Sequence, residues 1–314
     1  MEVVARAKVN LALGVVGRRP DGYHDLVSVF ARLDLADRLT VGPPGDGDRL
    51  VVAGGPIDYR PAADDLVLRA VELLRRACLP HAPGLTVRLE KYVPLAAGLG
   101  GGSADAAAAL DLAARAWGFQ LTGDVRLALA AQLGSDVPFL AADIEAALVT
   151  GRGESVAPLP GPLDPVGILL VTAGAGLATR DVFDAWAAAR PRRAATGGSG
   201  SVGADRARDL AARLGAGCTA ADLVAAAPDL RDANDLWSAS IRLRPDLVEL
   251  RDVLERRLGR AILLSGSGPT LLALYPSRAA AETAATSLTA DPVLGLAVAA
   301  IRAATFGRTT REAP

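Results

Sequence analysis

Near its N-terminus the chain alternates between apolar and polar side chains. Arg6, Lys8 and Asn10 interrupt an apolar run with a period of two, which is typical of a strand with one polar face. The pattern predicts a strand over residues 2–16 and places Lys8 and Asn10 on the same face. A solvated strand face would give the same alternation, so this pair alone does not indicate chemistry.

Beyond this strand, the pattern predicts a mixture of strands and helices. Predicted strands cover residues 26–30, 37–41, 85–90, 167–171, 261–264, 270–275 and 296–302, and predicted helices cover residues 66–77, 104–117, 124–133, 245–258 and 277–288. Asp64 and Asp65 are suited to cap the first of these helices, and Ser103 the second. The order strand, strand, helix, strand at the end of the chain favours helices layered on an antiparallel sheet. Residues 191–204 are poor in apolar side chains and predict a mobile surface loop.

Composition narrows the class of protein. A chain of 314 residues that is 51% hydrophobic can bury a sizeable core, and its length favours two domains. The net charge of −1 gives no basic surplus for nucleic acid, so a small ligand is the expected partner. No apolar run reaches the roughly 20 residues of a membrane helix, and no signal peptide is evident, which predicts a cytoplasmic protein. Cys78 and Cys218 lack metal-type spacing and are expected to be buried or partly buried thiols.

A glycine-rich segment is the main candidate for chemistry. Residues 94–107 read Pro-Leu-Ala-Ala-Gly-Leu-Gly-Gly-Gly-Ser-Ala-Asp-Ala-Ala. Glycines allow positive φ and close approach of a ligand, and the start of the following helix favours an anion. The segment therefore predicts a phosphate-binding loop, although a flexible linker between a strand and a helix would also be rich in glycine. It fits neither the Walker loop, which needs a lysine after its glycines, nor the dinucleotide fingerprint, because Ser103 occupies the last glycine position.

The pattern Pro-x-x-x-Gly-Leu-Gly-Gly-Gly-Ser-x-x-Ala resembles the central motif of the GHMP kinases, the superfamily of galactokinase, homoserine kinase and mevalonate kinase. The resemblance implies an α+β, two-domain GHMP kinase fold. An N-terminal nucleotide-binding α/β domain would cover residues 1–157, and a C-terminal ferredoxin-like domain residues 158–314. The turn at residues 266–268 resembles the third GHMP motif, which closes over the loop at Gly98. Asn234, Asp235 and Leu236 match a further short motif that we interpret as structural.

The resemblance also implies a nucleotide site that uses ATP and Mg²⁺. The residues expected to bind the nucleotide are Pro94, Ala97, Gly98, Leu99, Gly100, Gly101, Gly102, Ser103 and Ala104. In the family, the start of the helix predicted at 66–77 lines the adenine pocket, and Asp65 replaces the asparagine that is frequent there. No protein side chain is assigned as a metal ligand.

Two residues are implied as catalytic. The segment Gly-Ser-Asp-Val-Pro at 134–138 resembles the one that carries the catalytic aspartate of the family. Asp136 would accept the hydroxyl proton, and Lys8 would keep Asp136 ionised and stabilise charge at the attacking oxygen. From the residues alone, Asp136 is equally suited to cap a helix. Asp105 could hold the metal or could be a first-turn carboxylate favoured by the helix dipole, and we prefer the second interpretation.

Two N-terminal segments narrow the substrate. Ala-Lys-Val-Asn-Leu at 7–11 and Arg-Pro-Asp-Gly-Tyr-His at 19–24 resemble the GHMP member that phosphorylates the 2-hydroxyl of a cytidine diphosphate derivative of methylerythritol in the non-mevalonate isoprenoid pathway. The residues implied in substrate binding are Asn10, Tyr23, His24 and Phe183. Tyr23 and Phe183 would offer stacking faces to the cytosine, and His24 would read its edge. Without the family, Tyr23 and His24 would only complete a turn, and Phe183 would be a core residue.

Two other functions remain open at this stage. Another GHMP kinase, of the homoserine or mevalonate type, would share the glycine loop. A non-catalytic relative could bind ATP and a ligand as a sensor, although it would tolerate loss of Lys8 or Asp136, and both are present. The expected oligomeric state is a monomer or a homodimer, with no nucleic-acid or membrane partner.

Overall fold

The structure is a computed structural model that describes residues 1–43, 46–189, 201–290 and 298–307. Its strands are β1 (Glu2–Arg18), β2 (His24–Val41), β3 (Arg49–Gly54), β4 (Thr86–Glu90), β5 (Ala146–Gly151), β6 (Ser155–Leu159), β7 (Val166–Ala173), β8 (Leu263–Leu264), β9 (Thr270–Tyr275) and β10 (Val298–Phe306). Its helices are α1 (Leu66–Cys78), α2 (Gly101–Ala116), α3 (Gly123–Leu133), α4 (Val137–Ala141), α5 (Thr179–Ala188), α6 (Val202–Gly215), α7 (Ala220–Leu230), α8 (Trp237–Leu243), α9 (Asp246–Leu258) and α10 (Arg278–Thr289).

The chain forms two compact units, each assembled from several segments. The first unit contains Met1–Lys8, Leu35–Leu95 and Gly100–Asp143, and the second contains Val9–Asp34, Ala96–Leu99 and Ile144–Pro314. The predicted domain boundary at residue 157 stays a prediction.

In the first unit, helices pack on one another beside a small sheet. Strand β4 pairs antiparallel with the end of β2 and parallel with β3. Helix α1 packs on α2 and α3, and it begins as predicted, because the Asp65 carboxylate accepts a hydrogen bond from the Val67 N–H at 2.8 Å. Helix α2 is alanine-rich and is buried from Ala104 to Ala114 except at Asp111, and its small side chains allow its neighbours to approach closely.

In the second unit, β7 is buried along its whole length and lies between β10 and β9, both antiparallel to it. The run β8, β9, α10, β10 has the predicted order, and α10 packs on β7 and β10. The first half of β2 pairs with β5, and β5 pairs with β6. The expected α+β fold is confirmed. Among the described residues, no helix combines the length and the apolar character needed to cross a membrane.

Several element boundaries differ from the prediction. The strands predicted at 26–30 and 37–41 are one continuous strand, β2. The predicted loop at 191–204 lies outside the described residues up to 200, but its end is wrong: Ser201 caps α6, accepting a hydrogen bond from the Ala204 N–H at 2.9 Å. The elements that were not predicted are strands β3 and β6 and helices α4, α5, α6, α7 and α8. Cys78 is half-buried and Cys218 buried, and both are free thiols, as expected.

The Asn234 and Asp235 motif is structural, as predicted. The Asp235 carboxylate accepts hydrogen bonds from the Val15 N–H at 2.9 Å and from the Ser201 hydroxyl at 2.6 Å, so it ties β1 to the start of α6. The Asn234 amide donates to the carbonyls of Leu264 and Gly266 at 3.0 and 2.8 Å. This motif therefore holds the turn that follows β8.

Candidate active site

The glycine loop combines left-handed backbone with close contacts. Gly98 and Gly100 have φ values of 74° and 68°, the region that disfavours other residues. A Cβ atom on Gly98 would lie 2.3 Å from the Ser265 carbonyl oxygen, and one on Gly100 would lie 3.1 Å from Cε of Lys8. Glycine is therefore required at these two positions for backbone conformation, and at Gly98 for space as well.

Helix α2 begins earlier than predicted. Ser103 does not cap it, because Gly100 occupies the N-cap position and its carbonyl accepts the Ala104 N–H at 2.8 Å. The left-handed conformation of Gly100 turns the chain into the helix without a side-chain cap. The N–H groups of Gly101, Gly102 and Ser103 therefore belong to the first turn, which has no acidic residue. Such a helix start favours a phosphate group.

Lys8 and Asp136 form an ion pair in the first unit. Nζ of Lys8 lies 3.3 Å from Oδ2 of Asp136, and the exposed fractions of the two side chains are 4% and 30%. Asp136 occupies the N-cap position of α4, yet its side chain makes no capping hydrogen bond. The interpretation of Asp136 as a helix cap is therefore wrong, and its carboxylate faces a buried ammonium while remaining partly open to solvent.

A second lysine cluster, which sequence reasoning missed, lies behind the helix start. Nζ of Lys91 is 2.5 Å from Oδ2 of both Asp37 and Asp105, and all three side chains are at most 3% exposed. Burial alone would lower the pKa of Lys91, but the two carboxylates outweigh this and raise it. Burial raises the pKa of Asp105, aided by Asp37 and opposed by Lys91. The only sequence signal was a lysine directly after a buried strand.

Both interpretations given to Asp105 need correction. It does not belong to the first turn of α2, because the helix begins at Gly101 rather than after Ser103. Its side chain is bonded to Lys91 and buried, which does not fit a metal ligand. No group of three or more His, Cys, Asp or Glu side chains with metal-site geometry occurs within the ranges that the structure describes.

The segment that lines the adenine pocket in the family also carries a polar contact. The Tyr59 hydroxyl donates a hydrogen bond to the Asp65 carboxylate, which also caps α1. Burial, followed by the contact with Asp65, raises the pKa of Tyr59. Asp65 is therefore occupied by two donors of its own chain.

In the second unit, two of the predicted substrate residues meet. The rings of His24 and Phe183 stack with centroids 5.2 Å apart and planes at 22°, and the ring of Trp186 approaches His24 edge-on at 5.4 Å. Burial, together with the charge of Arg18, lowers the pKa of His24, whereas Asp184 raises it. His24, the first residue of β2, therefore favours its neutral form and packs against two rings of α5.

The other two predicted substrate residues have different surroundings. Asn10 is buried on β1, where its amide donates to the Ser28 hydroxyl at 2.8 Å, and Ser28 donates to the Ala12 carbonyl at 2.6 Å. Tyr23 is 52% exposed, and the Arg152 guanidinium lies 5.3 Å from its ring centroid. The structure thus gives Asn10 a fixed amide and Tyr23 an open ring beside a cation.

The turn at residues 266–268 contacts the glycine loop, as the resemblance implied. The Ser265 hydroxyl donates to the Gly98 carbonyl at 3.0 Å, and the Asn10 N–H approaches the same hydroxyl at 3.4 Å. Ser267 and Thr179 lie within hydrogen-bond distance at 3.1 Å, so the turn also reaches α5. Within the second unit, Ser265 therefore connects β1 to Gly98.

Comparisons with known proteins agree with this geometry. The family model for the GHMP kinases N terminal domain matches residues 65–148, and the model for the GHMP kinases C terminal matches residues 208–293. The mevalonate kinase of L. major, solved in complex with R-mevalonate, has a TM-score of 0.69 at 16% identity and covers 99% of this chain and 97% of its own. At that identity the likeness shows the fold alone, and the fold is that of a GHMP kinase.

More similar proteins narrow the family. The 4-diphosphocytidyl-2-C-methyl-D-erythritol kinase of Nitrobacter hamburgensis is 42% identical over 290 residues, 91% of this chain and 90% of the relative. A crystal structure of 4-(cytidine 5'-diphospho)-2C-methyl-D-erythritol kinase has a TM-score of 0.70 at 33% identity and covers 98% of this chain and 100% of its own. The chain belongs to the 4-diphosphocytidyl-2-C-methyl-D-erythritol kinase family. It is a kinase that uses ATP, and the resemblance drawn from its motifs is confirmed.

Proposed function

We propose that the chain transfers the γ-phosphoryl group of ATP to the 2-hydroxyl of 4-diphosphocytidyl-2-C-methyl-D-erythritol. The observation that carries the proposal is the ion pair between Lys8 and Asp136, beside the glycine that starts α2. Phosphoryl transfer needs positioning and charge neutralisation more than covalent chemistry. A carboxylate, an ammonium and a helix start close together provide those elements.

In the proposed mechanism, the glycine loop holds the triphosphate. The N–H groups of Gly101, Gly102 and Ser103 open a 16-residue helix with no first-turn carboxylate to repel phosphate. The left-handed residue Gly100 lets the chain pass close to the Lys8 side chain. The nucleotide phosphates would therefore bind within reach of the ion pair.

Asp136 is proposed as the general base and Lys8 as its partner. The carboxylate is the more exposed member of the pair, so an alcohol can approach it, while the ammonium is fixed in the buried side. Lys8 balances the charge of the carboxylate and stabilises charge on the attacking oxygen. In the transfer, the hydroxyl proton passes to the Asp136 carboxylate, the hydroxyl oxygen forms a bond to the γ-phosphorus, and the bond from that phosphorus to the β–γ bridging oxygen breaks, so that ADP leaves.

Mg²⁺ is proposed to enter with ATP. Magnesium in kinases commonly binds one or two carboxylates together with the phosphates of the nucleotide. The described residues form no three-ligand acidic cluster, and Asp105 is bonded to Lys91, so this donor set fits an ion held mainly by phosphate oxygens. The ion would neutralise charge on the β and γ phosphates.

The second unit is proposed to bind the cytidine. The stack of His24 and Phe183 forms an aromatic surface, and the neutral imidazole of His24 has a buried Nε2 with no hydrogen-bond partner among the residues described. Such an atom is suited to a directional contact with a base. Tyr23 offers a second ring face, and the amide of Asn10 a fixed polar group.

A product assay tests the proposal. The enzyme is incubated with Mg-ATP and a panel of alcohols that includes the cytidyl substrate, its uridine analogue, homoserine and mevalonate. We expect rapid phosphorylation of the cytidyl compound and slower turnover of the uridine analogue. The reason is that uracil carries a carbonyl acceptor where cytosine carries an amino donor. Phosphorylation of homoserine or mevalonate in preference would contradict the proposed substrate. ATP binding without turnover of any alcohol would favour a sensor.

Ring-deletion variants locate the base. We expect Phe183→Ala and Tyr23→Ala to raise KM for the cytidyl substrate about tenfold, as loss of about 1–3 kcal/mol of stacking per base implies, with little change in KM for ATP. Phe119→Ala, which removes a partly buried aromatic ring of the first unit beyond the far end of α2, is the control. If both KM values rise together, the pyrimidine site lies elsewhere.

Cytoplasmic location and a monomeric or homodimeric state stay predictions.

A further inference from the structure

The Lys91 cluster connects three elements of the first unit. Lys91 directly follows β4, Asp37 lies on β2, and Asp105 lies in the second turn of α2. Oδ1 of Asp37, the oxygen that does not contact Lys91, accepts hydrogen bonds from the N–H groups of Tyr92 and Val93 at 2.5 and 2.8 Å. Asp37 therefore fixes the segment that leads into the glycine loop, and Asp105 fixes the helix that follows it.

The ammonium also lies against the first residue of the helix. A Cβ atom on Gly101 would be 3.4 Å from Nζ of Lys91 and 3.0 Å from Cγ1 of Val93. The ammonium thus supports the turn whose N–H groups are proposed to hold phosphate. Rotation of α2 or a shift along its axis would break the Lys91 contact with Asp105 or close the gap at Gly101.

Charge balance does not explain the second carboxylate. Asp37 alone neutralises Lys91 and is completely buried beside it. Asp105 adds another buried carboxyl, and one of its oxygens has no hydrogen-bond partner among the described residues. Burying such a group is unfavourable unless it is fully bonded. Its effect is geometric, since it is the member of the cluster that belongs to α2.

We propose that Asp105, acting through Lys91, is a positioning residue that sets the place of the phosphate-binding end of α2 relative to the segment 91–93. The proposal rests on the proposed function in taking that helix end as the nucleotide site. In this role, Asp105 contacts neither ATP nor the reacting atoms. It is required for tight nucleotide binding and not for recognition of the alcohol.

The test uses Asp105→Ala, which cuts the link to α2 but leaves Lys91 paired with Asp37. We expect the Kd for ATP and the KM for ATP to rise about tenfold, which corresponds to about 1.4 kcal/mol of binding free energy. The KM for the alcohol should change less than about twofold, and the protein should remain folded. Asp105→Asn keeps an oxygen for Lys91 and should restore ATP binding to within about threefold of the wild type.

Asp111→Ala is the matched control. Asp111 lies on the same helix and forms an ion pair with Arg126 at 3.0 Å, but it is two turns away from the glycine loop. It should leave the Kd for ATP unchanged. An equal weakening of ATP binding in Asp111→Ala would show that any loosening of α2 has this effect and would overturn the proposal.

Calorimetric titration with ATP, without turnover, separates this proposal from the proposed function. If the wild type fails to bind ATP, the proposed function is wrong. If the wild type binds ATP and Asp105→Ala binds it as tightly, only the positioning role is wrong. Should Asp105→Ala fail to fold, Asp105→Ser, whose side chain is too short to reach Lys91, is measured in its place with the same two outcomes.

Discussion

Two lysines of the first unit meet carboxylates in contrasting ways. Lys8 forms an ion pair with Asp136 at 3.3 Å, and that carboxylate is 30% exposed. Lys91 faces two, Asp37 and Asp105, both at 2.5 Å and both sealed from solvent. The carboxylate of the first pair is therefore partly open to solvent, whereas all three side chains of the second cluster are buried.

The exposure of the carboxylates distinguishes a site that can react with a substrate from one that only holds elements of the fold in place. A base must reach a substrate proton, and a partly exposed carboxylate held by a buried cation can do so. A closed cluster cannot exchange partners without opening the core around it, so it fixes geometry instead. Sequence alone gives the same residue types in both cases, and only burial distinguishes them.

Removing the open carboxylate should have the largest effect. We expect Asp136→Asn to lower kcat by about 10²–10⁴ because the base is lost, while the Kd for ATP stays nearly unchanged because the helix N–H groups remain. Steady-state kinetics and ATP titration measure both. Lys8→Ala should behave similarly, and Lys8→Arg should keep a trace of activity, since the charge survives but its position changes.

The size of the loss decides the role of Asp136. A variant that keeps more than about a tenth of its activity has a barrier change below about 1.4 kcal/mol. That would be too small for loss of a general base and would assign Asp136 a supporting part. Ser135→Ala, which alters the neighbouring residue and leaves the carboxylate in place, is the control for disturbance of the turn.

Removing the buried ammonium of Lys91 should mainly affect the stability of the fold. Lys91→Met leaves Asp37 and Asp105 buried without a counter-ion, so we expect the free energy of unfolding to fall by about 3–5 kcal/mol. Lys8→Met should cost about 1 kcal/mol or less, because the remaining carboxylate of Asp136 can be solvated. Urea denaturation of the two variants measures this comparison directly. Equal losses would mean that the two sites do not differ as their exposure indicates.

Local signals in the sequence predicted much of the first unit. Asp65 caps α1 as its residue type suggests, and Gly134 ends α3. The start of α2 was predicted three residues late, because a serine is the more common cap and nothing local shows that Gly100 adopts left-handed backbone. Asp105 was wrongly placed in the first turn of α2 because the predicted start of the helix was too late.

Contacts between residues far apart in the sequence were harder to predict. The family resemblance named His24 and Phe183 together, but their mutual stacking, 159 positions apart, depends on the packing of α5 against β2. The partners of Lys91 lie 54 positions before it and 14 after it, on elements whose sequences give no sign of pairing. Periodicity predicts which residues are buried in an element, but not which buried charges meet.

The smallest effect concerns a titratable group in the second unit, where no lysine and carboxylate pair is involved. Burial and Arg18 lower the pKa of His24 below its ordinary 6.5. At pH values between the lowered folded pKa and 6.5, the unfolded chain binds more protons at this residue than the folded chain does, so stability rises with pH there. The contribution of His24 is complete above pH 6.5 and is lost as the pH falls below it.

His24→Phe isolates this contribution, because it keeps a ring against Phe183 and cannot be protonated. Between pH 7 and pH 5, we expect the Tm of the wild type to fall further than that of His24→Phe. The extra fall should be under about 2 °C, since a single group changes the free energy of unfolding little and about 1 kcal/mol shifts the Tm of a long chain by only about 2–4 °C. Thermal scans of both proteins at matched ionic strength measure it. Parallel curves would mean that His24 is protonated as readily in the folded protein as in the unfolded chain, so that burial does not favour the neutral imidazole proposed to contact the base.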